Sequence, residues 1–576
     1  MSQAAKVDTL QKSGNSSKNA IYFLGKAQAA LKEENLPLVM KNLIQAHKIE
    51  PDEIEILRAM LEIQEKLGHW KQMLPNLDLL INLQPDEINW PICRLAALQS
   101  CEAFETLVEE SLLLLKLYPR HIKILTLLAS AYYELNNFSL ALNTVNTLIE
   151  LNIGTAEPFV IRGLIYKSMG DRDKAKIDLF KAESFGEKTI FVFNALGALY
   201  ADEHEHETAL AYYGKALSLA EGSYMTAKIA LNASQSAMSL GKFGIGWQLY
   251  AYRKTDIATK FGTVMKETIY PVWQGEKLVG KHLVIRREQG LGDELRFSSV
   301  IAEVANEARL VTLECDPRLV DLYQRSFPNN VKPVGIEKTG AARNLSDSYV
   351  EVNAAAYIGD LSHYKRRSLD DFPEHYGYLT PDPKRVDFWS DYLEKLEGKI
   401  NVGVCWKSAN VEGDRDNHYT NIKHWLPVFA IEGINFVNLY YGDSEEDLKW
   451  VEAQTGVKVL TPEGIDLRND IDELAALIAS VDLVVGANTA PIALAMAVRG
   501  ASTWTLPFRH FDTKDAFYFG QAYYPWAPAA KPVFGDGFQK TMDLVAEELA
   551  HVMQTKNPRH TLVELSKIMY VCYGAS

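Results

Sequence analysis

The chain has 576 residues, more than one hydrophobic core usually supports, so we expect two to four domains. Hydrophobic residues make up 47% and charged residues 23%, the balance of an ordinary globular protein. The formal charge is -14 and no long basic run occurs, which argues against nucleic acid or an anionic membrane as the main partner.

The N-terminus and the cysteines indicate the compartment. The first 20 residues are polar and lack the apolar segment of a secretory signal. The five cysteines are scattered and form no C-x-x-C pair, which favours free thiols over disulfides or a zinc site. One of the most apolar stretches, Leu474–Ala487, is interrupted by Asp482 and is too short to span a bilayer. We therefore expect a cytoplasmic protein without membrane insertion.

A 34-residue period runs through the first half of the chain. Three sets of residues keep this step, namely Pro51, Pro85 and Pro119; Ala129, Gly163 and Gly197; and Ala141, Ala175 and Ala209. Such a period with small residues at fixed offsets is typical of tetratricopeptide repeats, in which a small side chain lets the two helices of a hairpin approach closely. We predict six or seven repeats that form an all-α superhelix with a concave surface for a polypeptide.

One segment inside the repeats has the residue types of a metal site. Asp202–Glu207 reads DEHEHE, but it falls between the helix of Gly197 and the helix of Ala209. We favour a polar inter-helix turn over a metal site at this position.

The second half alternates short apolar runs with helical segments. Strands are predicted at Lys281–Arg287, Ala308–Cys315, Asn401–Trp406, Ile434–Gly442, Gly456–Leu460, Val481–Asn488 and Ala501–Leu506. The alternation predicts an α/β region with parallel sheets covered on both faces. A helical stretch, Thr380–Leu396, divides this region into two Rossmann-like halves, and ligands of such sheets bind at the carboxyl ends of the strands.

Several segments resemble bacterial proteins that join tetratricopeptide repeats to a glycosyltransferase. They are Gly241–Arg253, Pro271–Phe297, Val481–Pro507 and the YYPW and PVF motifs within Tyr523–Phe534. The α/β half is similar to the GT-B fold of heptosyltransferases and, more distantly, of protein O-GlcNAc transferase. The resemblance implies a flexible N-terminus (1–19), repeats (20–257), an acceptor-side Rossmann-like domain (272–395), a nucleotide-sugar-side Rossmann-like domain (400–545) and a C-terminal helical tail (546–576).

The acceptor-side site is expected in the glycine loop REQGLGDELRF, Arg287–Phe297. In heptosyltransferases an aspartate at the end of this loop is the proposed catalytic base, and Asp293 stands at that position. An inverting transfer needs such a carboxylate to take the proton of the acceptor hydroxyl. Gly290 and Gly292 let the backbone approach the donor, and Glu288 is the alternative base. A second interpretation, that Asp293 only caps the following helix, stays open.

The donor-side site is expected at GANTAPIALA, Gly486–Ala495, where a strand leads into a helix. The amides of Thr489 and Ala490 are candidates to bind a phosphate. The family has an aspartate and a histidine where this sequence has Asn488 and Ala493, so the resemblance implies an unusual donor or a transferase half that has lost activity.

Two further strand ends supply candidate donor-binding residues. The loop Cys405–Trp425 carries Lys407, Ser408, Asn410, Arg415 and Lys423. A cation near the departing phosphate stabilises its charge, and Lys407 is the first choice; a solvated polar loop is the alternative. Tyr441 and Gly442, in Leu439–Leu448, are candidates to line the pocket of the nucleotide base.

The function implied by the resemblance is inverting glycosyl transfer without a metal or bound cofactor. The donor is a nucleotide sugar, CMP- or UDP-linked, and the acceptor is a Ser or Thr hydroxyl of a protein docked on the repeats. Flagellin modified with a nonulosonic acid is one identity that relatives suggest. Two alternatives stay open: a glycan- or lipid-directed glycosyltransferase, and a repeat scaffold with an inactive transferase half.

Overall fold

The computed structural model describes residues 18–151, 154–186, 189–220, 225–253, 270–287, 290–337, 349–372, 377–409, 419–498, 502–506, 523–535 and 537–562. By its contacts the chain divides into two compact units, Met1–Leu199 and Tyr200–Ser576.

Helices alone make up the described part of the chain before residue 254. They are α1 (Lys18–Lys32), α2 (Leu36–Ile49), α3 (Ile54–Lys66), α4 (Trp70–Leu83), α5 (Asn89–Ser100), α6 (Phe104–Leu117), α7 (Ile122–Glu134), α8 (Phe138–Glu150), α9 (Glu157–Ser168), α10 (Arg172–Ser184), α11 (Ile190–Asp202), α12 (His206–Ala220), α13 (Met225–Ser239) and α14 (Phe243–Tyr250). Long and short connections alternate with the predicted period. The helical tetratricopeptide array is therefore confirmed, with seven helix pairs in the described residues.

Close packing inside a hairpin explains the small residue of the period. A Cβ built on Gly163 would lie 2.8 Å from Cγ of Leu179, so α9 and α10 pack closely at this small residue. Ala129, which occupies the position of Gly163 one period earlier, and Ala141 are fully buried.

A polar link that the sequence analysis did not predict joins successive helices of the first unit. The Arg162 guanidinium donates through Nη1 to Asn146 at 2.9 Å and through Nε and Nη2 to the buried carboxylate of Asp178 at 2.7 and 2.8 Å. Arg94 makes the corresponding link to Asp78 and Glu110. The two arginines lie two repeat periods apart, so the polar link follows the repeat.

The DEHEHE segment is a turn, as predicted. Helix α11 ends at Asp202, α12 begins at His206, and His204 between them has a left-handed φ of 62°. Within the described ranges, no three His, Cys, Asp or Glu side chains come together as a possible metal-binding group. In the same ranges, none of the helices has the length and apolar character needed to cross a bilayer.

Two parallel sheets follow in the second unit. The strands are β1 (His282–Arg286), β2 (Leu310–Cys315), β3 (Val331–Gly335), β4 (Ala354–Tyr357), β5 (Ile400–Cys405), β6 (Ile434–Asn438), β7 (Leu483–Ala487), β8 (Thr503–Leu506) and β9 (Lys531–Pro532). The first sheet has the order β3-β2-β1-β4 and the second the order β6-β5-β7-β8-β9. All of these neighbours pair in parallel, which confirms the α/β class.

Helices connect these strands and cover them. They are α15 (Leu291–Phe297), α16 (Ile301–Glu307), α17 (Val320–Ser326), α18 (Leu361–Lys365), α19 (Pro383–Leu393), α20 (Leu426–Phe429), α21 (Glu445–Thr455), α22 (Ile471–Ser480), α23 (Ala490–Ala497) and α24 (Gly537–Gln554). Short 3-10 turns occur at Ser298–Val300, Pro317–Leu319, Ile358–Asp360, Leu369–Asp371 and Ile422–Trp425.

The strand predictions were wrong in one place and incomplete in others. Gly456–Leu460 forms no strand: Gly456 ends α21 in a left-handed conformation, and Leu460 makes only an isolated bridge to Val437. Strands β3, β4 and β9 were missed: β3 contains a proline and a lysine, β4 is mostly alanine, and β9 is only the dipeptide Lys531–Pro532.

The last repeat helix packs on the α/β region, and both belong to the second unit. The Trp247 ring Nε1 donates to the Arg366 carbonyl oxygen, and the Arg253 guanidinium pairs with Asp360 at 3.0 Å. The Trp247 ring also contacts Trp526 edge-on, with 6.3 Å between centroids. Trp526 also contacts Phe297 at the end of α15, the helix after the glycine loop, with 5.4 Å between ring centroids. Trp526 therefore links α14 to α15.

Candidate functional site

The glycine loop joins β1 to α15 at the carboxyl edge of the first sheet. Gly290 is the N-cap of α15 and has an ordinary φ of -71°. A Cβ at Gly290 would meet no heavy atom within 4 Å. This glycine therefore leaves open space beside the loop and does not relieve backbone strain. Asp293 lies in the first turn of α15, beyond the N-cap, so the helix begins without it as the capping residue.

The Asp293 carboxylate takes part in a chain of contacts. Its Oδ1 accepts a hydrogen bond from Nη1 of Arg296 at 2.7 Å. The Asp293 side chain is 34% exposed, whereas that of Arg296 is only 9% exposed. Nε of Arg296 donates to the hydroxyl of Tyr524, a buried residue from the segment after β8.

A second carboxylate of α15, that of Glu294, is buried and was missed by the sequence analysis, which chose Glu288 as the alternative base. Glu288 lies outside the described residues. Glu294 accepts from Nε of Arg287 at 2.9 Å and from the backbone N–H of Asp316 at 2.8 Å. The sequence did contain a signal for this burial: Glu294 lies three residues after Leu291 and directly before Leu295, and positions i, i+3 and i+4 share one helix face.

The carboxyls of Glu294 and Asp316 differ in pKa, although both bind Arg287. Asp316 shares Arg287 with Glu294 and also binds Arg318, which holds the pKa of the Asp316 carboxyl at about 2 despite its burial. Burial raises the pKa of Glu294 to about 7, with the attraction of Arg287 opposing this change. This network ties the start of the glycine loop, at Arg287, to the helix that ends it.

On the other sheet, α23 begins directly after β7, as predicted. Thr489 is its buried N-cap residue, and its Oγ1 donates to the Ala487 carbonyl oxygen at 3.1 Å. Gly486 is required at this point, because a Cβ there would lie 2.5 Å from the Cys405 carbonyl oxygen. Ala490 is the first residue of the helix, and Asn488 is half-buried between strand and helix.

The two motifs, about 200 residues apart in sequence, meet in the second unit. Helix α15 contacts α23, and a Cβ on Gly292 would lie 3.9 Å from that of Ala493. Ala493, where the resemblance to glycosyltransferases implies a histidine, therefore lies directly against the glycine loop. A small, solvent-open hollow adjoins this contact, lined by Arg296, Tyr378, Ala493, Met496, Ala497, Tyr524, Trp526 and Ala527.

Four of the predicted residues, Lys407, Ser408, Tyr441 and Gly442, lie at the ends of β5 and β6. Nζ of Lys407 pairs with Asp447 at 2.9 Å, and Trp406 donates to the same carboxylate at 3.0 Å. The hydroxyls of Ser408 and Tyr441 lie 3.0 Å apart. Gly442 lies close to the Tyr440 ring, where a Cβ would be 2.3 Å from the hydroxyl oxygen.

Lys423 lies apart from these contacts, and two other candidates cannot be located. Lys423 is exposed on a 3-10 turn, with its Nζ 5.8 Å from the centroid of the Trp450 ring. Asn410 and Arg415 lie outside the described residues. The chemical roles assigned to all of these residues stay predictions.

Cys405 connects the end of β5 with the start of α23. Its Sγ lies 3.4 Å from Thr489 Oγ1 and 3.6 Å from the Lys407 carbonyl oxygen. Burial raises the pKa of the Cys405 thiol to about 12, so it is a packed neutral group at neutral pH. Lys407 and the N-terminus of α23 therefore lie just beyond the ends of two neighbouring strands, β5 and β7.

These features define the class: a tetratricopeptide-repeat protein whose helical pairs are followed by an α/β region with two parallel sheets. Comparison of sequences identifies the family. The chain is 32% identical over 433 residues to protein FlbA of Caulobacter vibrioides, a match that covers 70% of this chain and 68% of FlbA. The chain belongs to the FlbA family. No family model matches it.

Solved structures of repeat proteins are also similar to this chain. A tetratricopeptide repeat protein from Parabacteroides merdae is 15% identical with a TM-score of 0.34, and the match covers 42% of this chain and 93% of that one. A thermophilic TPR protein of Thermus thermophilus is 21% identical with a TM-score of 0.20, covering 38% and 99%. The repeat assignment rests on the helix pairs and their 34-residue period.

Proposed function

We propose that the protein is an inverting glycosyltransferase of GT-B type that transfers a sugar from a nucleotide sugar to Ser or Thr hydroxyls of a protein. One observation supports this most directly. The helix that carries Asp293 packs against α23, with Gly292 and Ala493 in contact. A one-third-exposed carboxylate from one parallel sheet and a helix N-terminus from the other thus belong to the same region, at the strand ends where ligands of such sheets bind.

The chemistry follows from these two groups. The acceptor hydroxyl oxygen attacks the anomeric carbon while Asp293 takes its proton, and the bond from that carbon to the phosphate oxygen breaks. The N-terminal amides of α23 and the ammonium of Lys407 stabilise the charge that develops on the departing phosphate. Ser408, Tyr441 and Gly442 hold the nucleotide beside them.

The repeats provide the acceptor specificity in this proposal. Tetratricopeptide arrays stack helix pairs into an extended surface suited to a polypeptide. An enzyme for a small acceptor has no need of such a surface, which favours a protein acceptor over a glycan or lipid. Flagellin carrying a nonulosonic acid, transferred from a CMP-linked donor, is the acceptor and sugar to test first.

The test compares Asp293→Asn with the wild-type full-length protein. A candidate acceptor is produced with each, and its intact mass gives the mass of any sugar added. We expect the variant to lose transfer by about 10²- to 10⁴-fold, the contribution typical of a general base. The control is Asp321→Asn, an exposed aspartate in the first turn of α17, which should transfer like wild type.

Nucleotide binding is measured in parallel by thermal stability with CMP and UDP. A ligand that binds the folded state raises the unfolding midpoint, and Asp293→Asn should keep that rise. Undiminished transfer by Asp293→Asn contradicts the assignment of the base.

One observation favours a second candidate, a repeat scaffold without transferase activity. The family's histidine is replaced by Ala493, and this residue lies against Gly292 where the sugar would be held. For a scaffold, neither nucleotide raises the midpoint and no acceptor gains mass. Mass added to a free oligosaccharide but to no protein would instead identify a glycan-directed enzyme.

A further inference from the structure

The YYPW segment comes from beyond β8 but contacts the helix of the first sheet that carries Asp293. The Tyr524 hydroxyl accepts from Nε of Arg296, and the Trp526 ring lies edge-on against Phe297, the residue after Arg296. Tyr524 and Trp526 are each only 2% exposed, so the surrounding residues restrict the orientation of both side chains. The segment therefore holds the C-terminal turn of α15 at two adjacent residues.

Arg296 transmits this fixed position to the carboxylate one turn earlier. Its guanidinium binds Tyr524 through Nε and Asp293 through Nη1 at 2.7 Å. The guanidinium is planar and rigid, so fixing one edge fixes the direction of the other.

We propose that Tyr524 and Arg296 are positioning residues that orient the Asp293 carboxylate, so that the base is aligned only while the YYPW segment is docked on α15. This inference rests on the proposed function, in which Asp293 is the base. Tyr524 touches no reacting atom in this role. Since the segment follows β8 of the second sheet, the base on the first sheet depends on a residue supplied by the other half of the α/β region.

The test removes only the phenol oxygen, in the full-length protein. Tyr524→Phe keeps the ring but leaves Arg296 without this acceptor. Because a displacement of about 1 Å costs roughly 10²-fold in rate, we expect kcat to fall about 10- to 100-fold. KM for donor and acceptor should stay within about twofold, since uniform binding is unchanged. Arg296→Lys, which keeps the charge but loses the planar fork, should fall in the same direction.

A double variant separates positioning from a general structural role. If Tyr524 acts only through Asp293, adding Tyr524→Phe to Asp293→Asn causes no further loss of the residual transfer measured by long incubation. The control is Tyr364→Phe, whose ring packs on Trp273 outside this chain of contacts and whose kcat should equal that of wild type.

The outcomes distinguish the two proposals. If Asp293→Asn transfers like wild type, the proposed base is wrong. If Asp293→Asn is inactive but Tyr524→Phe and Arg296→Lys keep wild-type kcat, only the positioning role is overturned. An equal additional loss in the Asp293→Asn background, or a loss of kcat that tracks a fall in the unfolding midpoint, also overturns it in favour of a merely structural contact.

Discussion

Glu294→Gln gives the sharpest test of the electrostatics beneath the glycine loop. The carboxylate is 1% exposed and lies between Arg287 and the Asp316 amide. A simple count of ion pairs predicts that removing this charge destabilises the protein, because Arg287 loses a partner. The raised pKa predicts the opposite sign at neutral and higher pH.

The magnitude follows from a proton-linkage cycle. Burial raises the pKa of Glu294 from 4.5 in the unfolded chain to about 7 in the folded one. Between these values the folded protein keeps a proton that the unfolded chain has lost, so the stability of the wild type falls as the pH rises through this window and is level above it. Each pH unit is worth about 1.4 kcal/mol, which sets an upper limit of roughly 3 kcal/mol.

Glutamine resembles the protonated carboxyl and does not titrate. The variant and the wild type should therefore be equally stable near pH 4.5, and the variant should gain relative to the wild type up to pH 8. The assay is the difference in apparent unfolding midpoint at each pH, which cancels the titration of all other groups. We expect a difference near zero at pH 4.5 that grows to several degrees at pH 8.

The control is Glu307→Gln, which removes an exposed carboxylate paired with Lys365 and should show no such trend. A variant that is less stable than the wild type at pH 8 refutes the reasoning. That result would mean that Glu294 is ionised and that its pairing with Arg287 outweighs burial.

Two further predictions concern the edge where β5, β7 and α23 meet. Gly486→Ala should lower the free energy of unfolding by about 1–3 kcal/mol, because its Cβ would lie 2.5 Å from a backbone oxygen. The control, Gly214→Ala, lies in open space on α12 and should leave the free energy of unfolding unchanged or raise it by up to about 1 kcal/mol. Equal unfolding midpoints for the two variants would contradict this prediction. Cys405 should react with iodoacetamide at pH 8 more than about a hundredfold more slowly than the partly exposed Cys101, because its thiol is buried and has a pKa of about 12. Peptide mass spectrometry measures both rates. Comparable rates would show that the end of β5 opens to solvent.

Elements with a strong local pattern were predictable. The helix pairs follow from the 34-residue period, because each hairpin packs through residues close in sequence such as Gly163 and Leu179. Strands β1 and β5 are fully buried, so their continuous apolar runs were visible. Strand β4 is short and alanine-rich, and it is a strand only because β1 pairs with it.

The candidate site was predictable in its parts. The strand-loop-helix pattern located Asp293 and Thr489 at the starts of two helices, as the structure has them. Glu294 was not singled out, because its importance depends on burial against Asp316, a residue at the end of the next strand.

The sequence by itself determined the repeat array, the α/β alternation and the two strand-to-helix motifs, because periodicity and chain punctuation act over a few residues. Only the tertiary structure decided that α15 lies against α23, that Glu294 is buried between Arg287 and the Asp316 amide, and that Tyr524 reaches Arg296 from 228 residues away. Such contacts depend on how two sheets and their helices pack together, and no local pattern of residues encodes that arrangement.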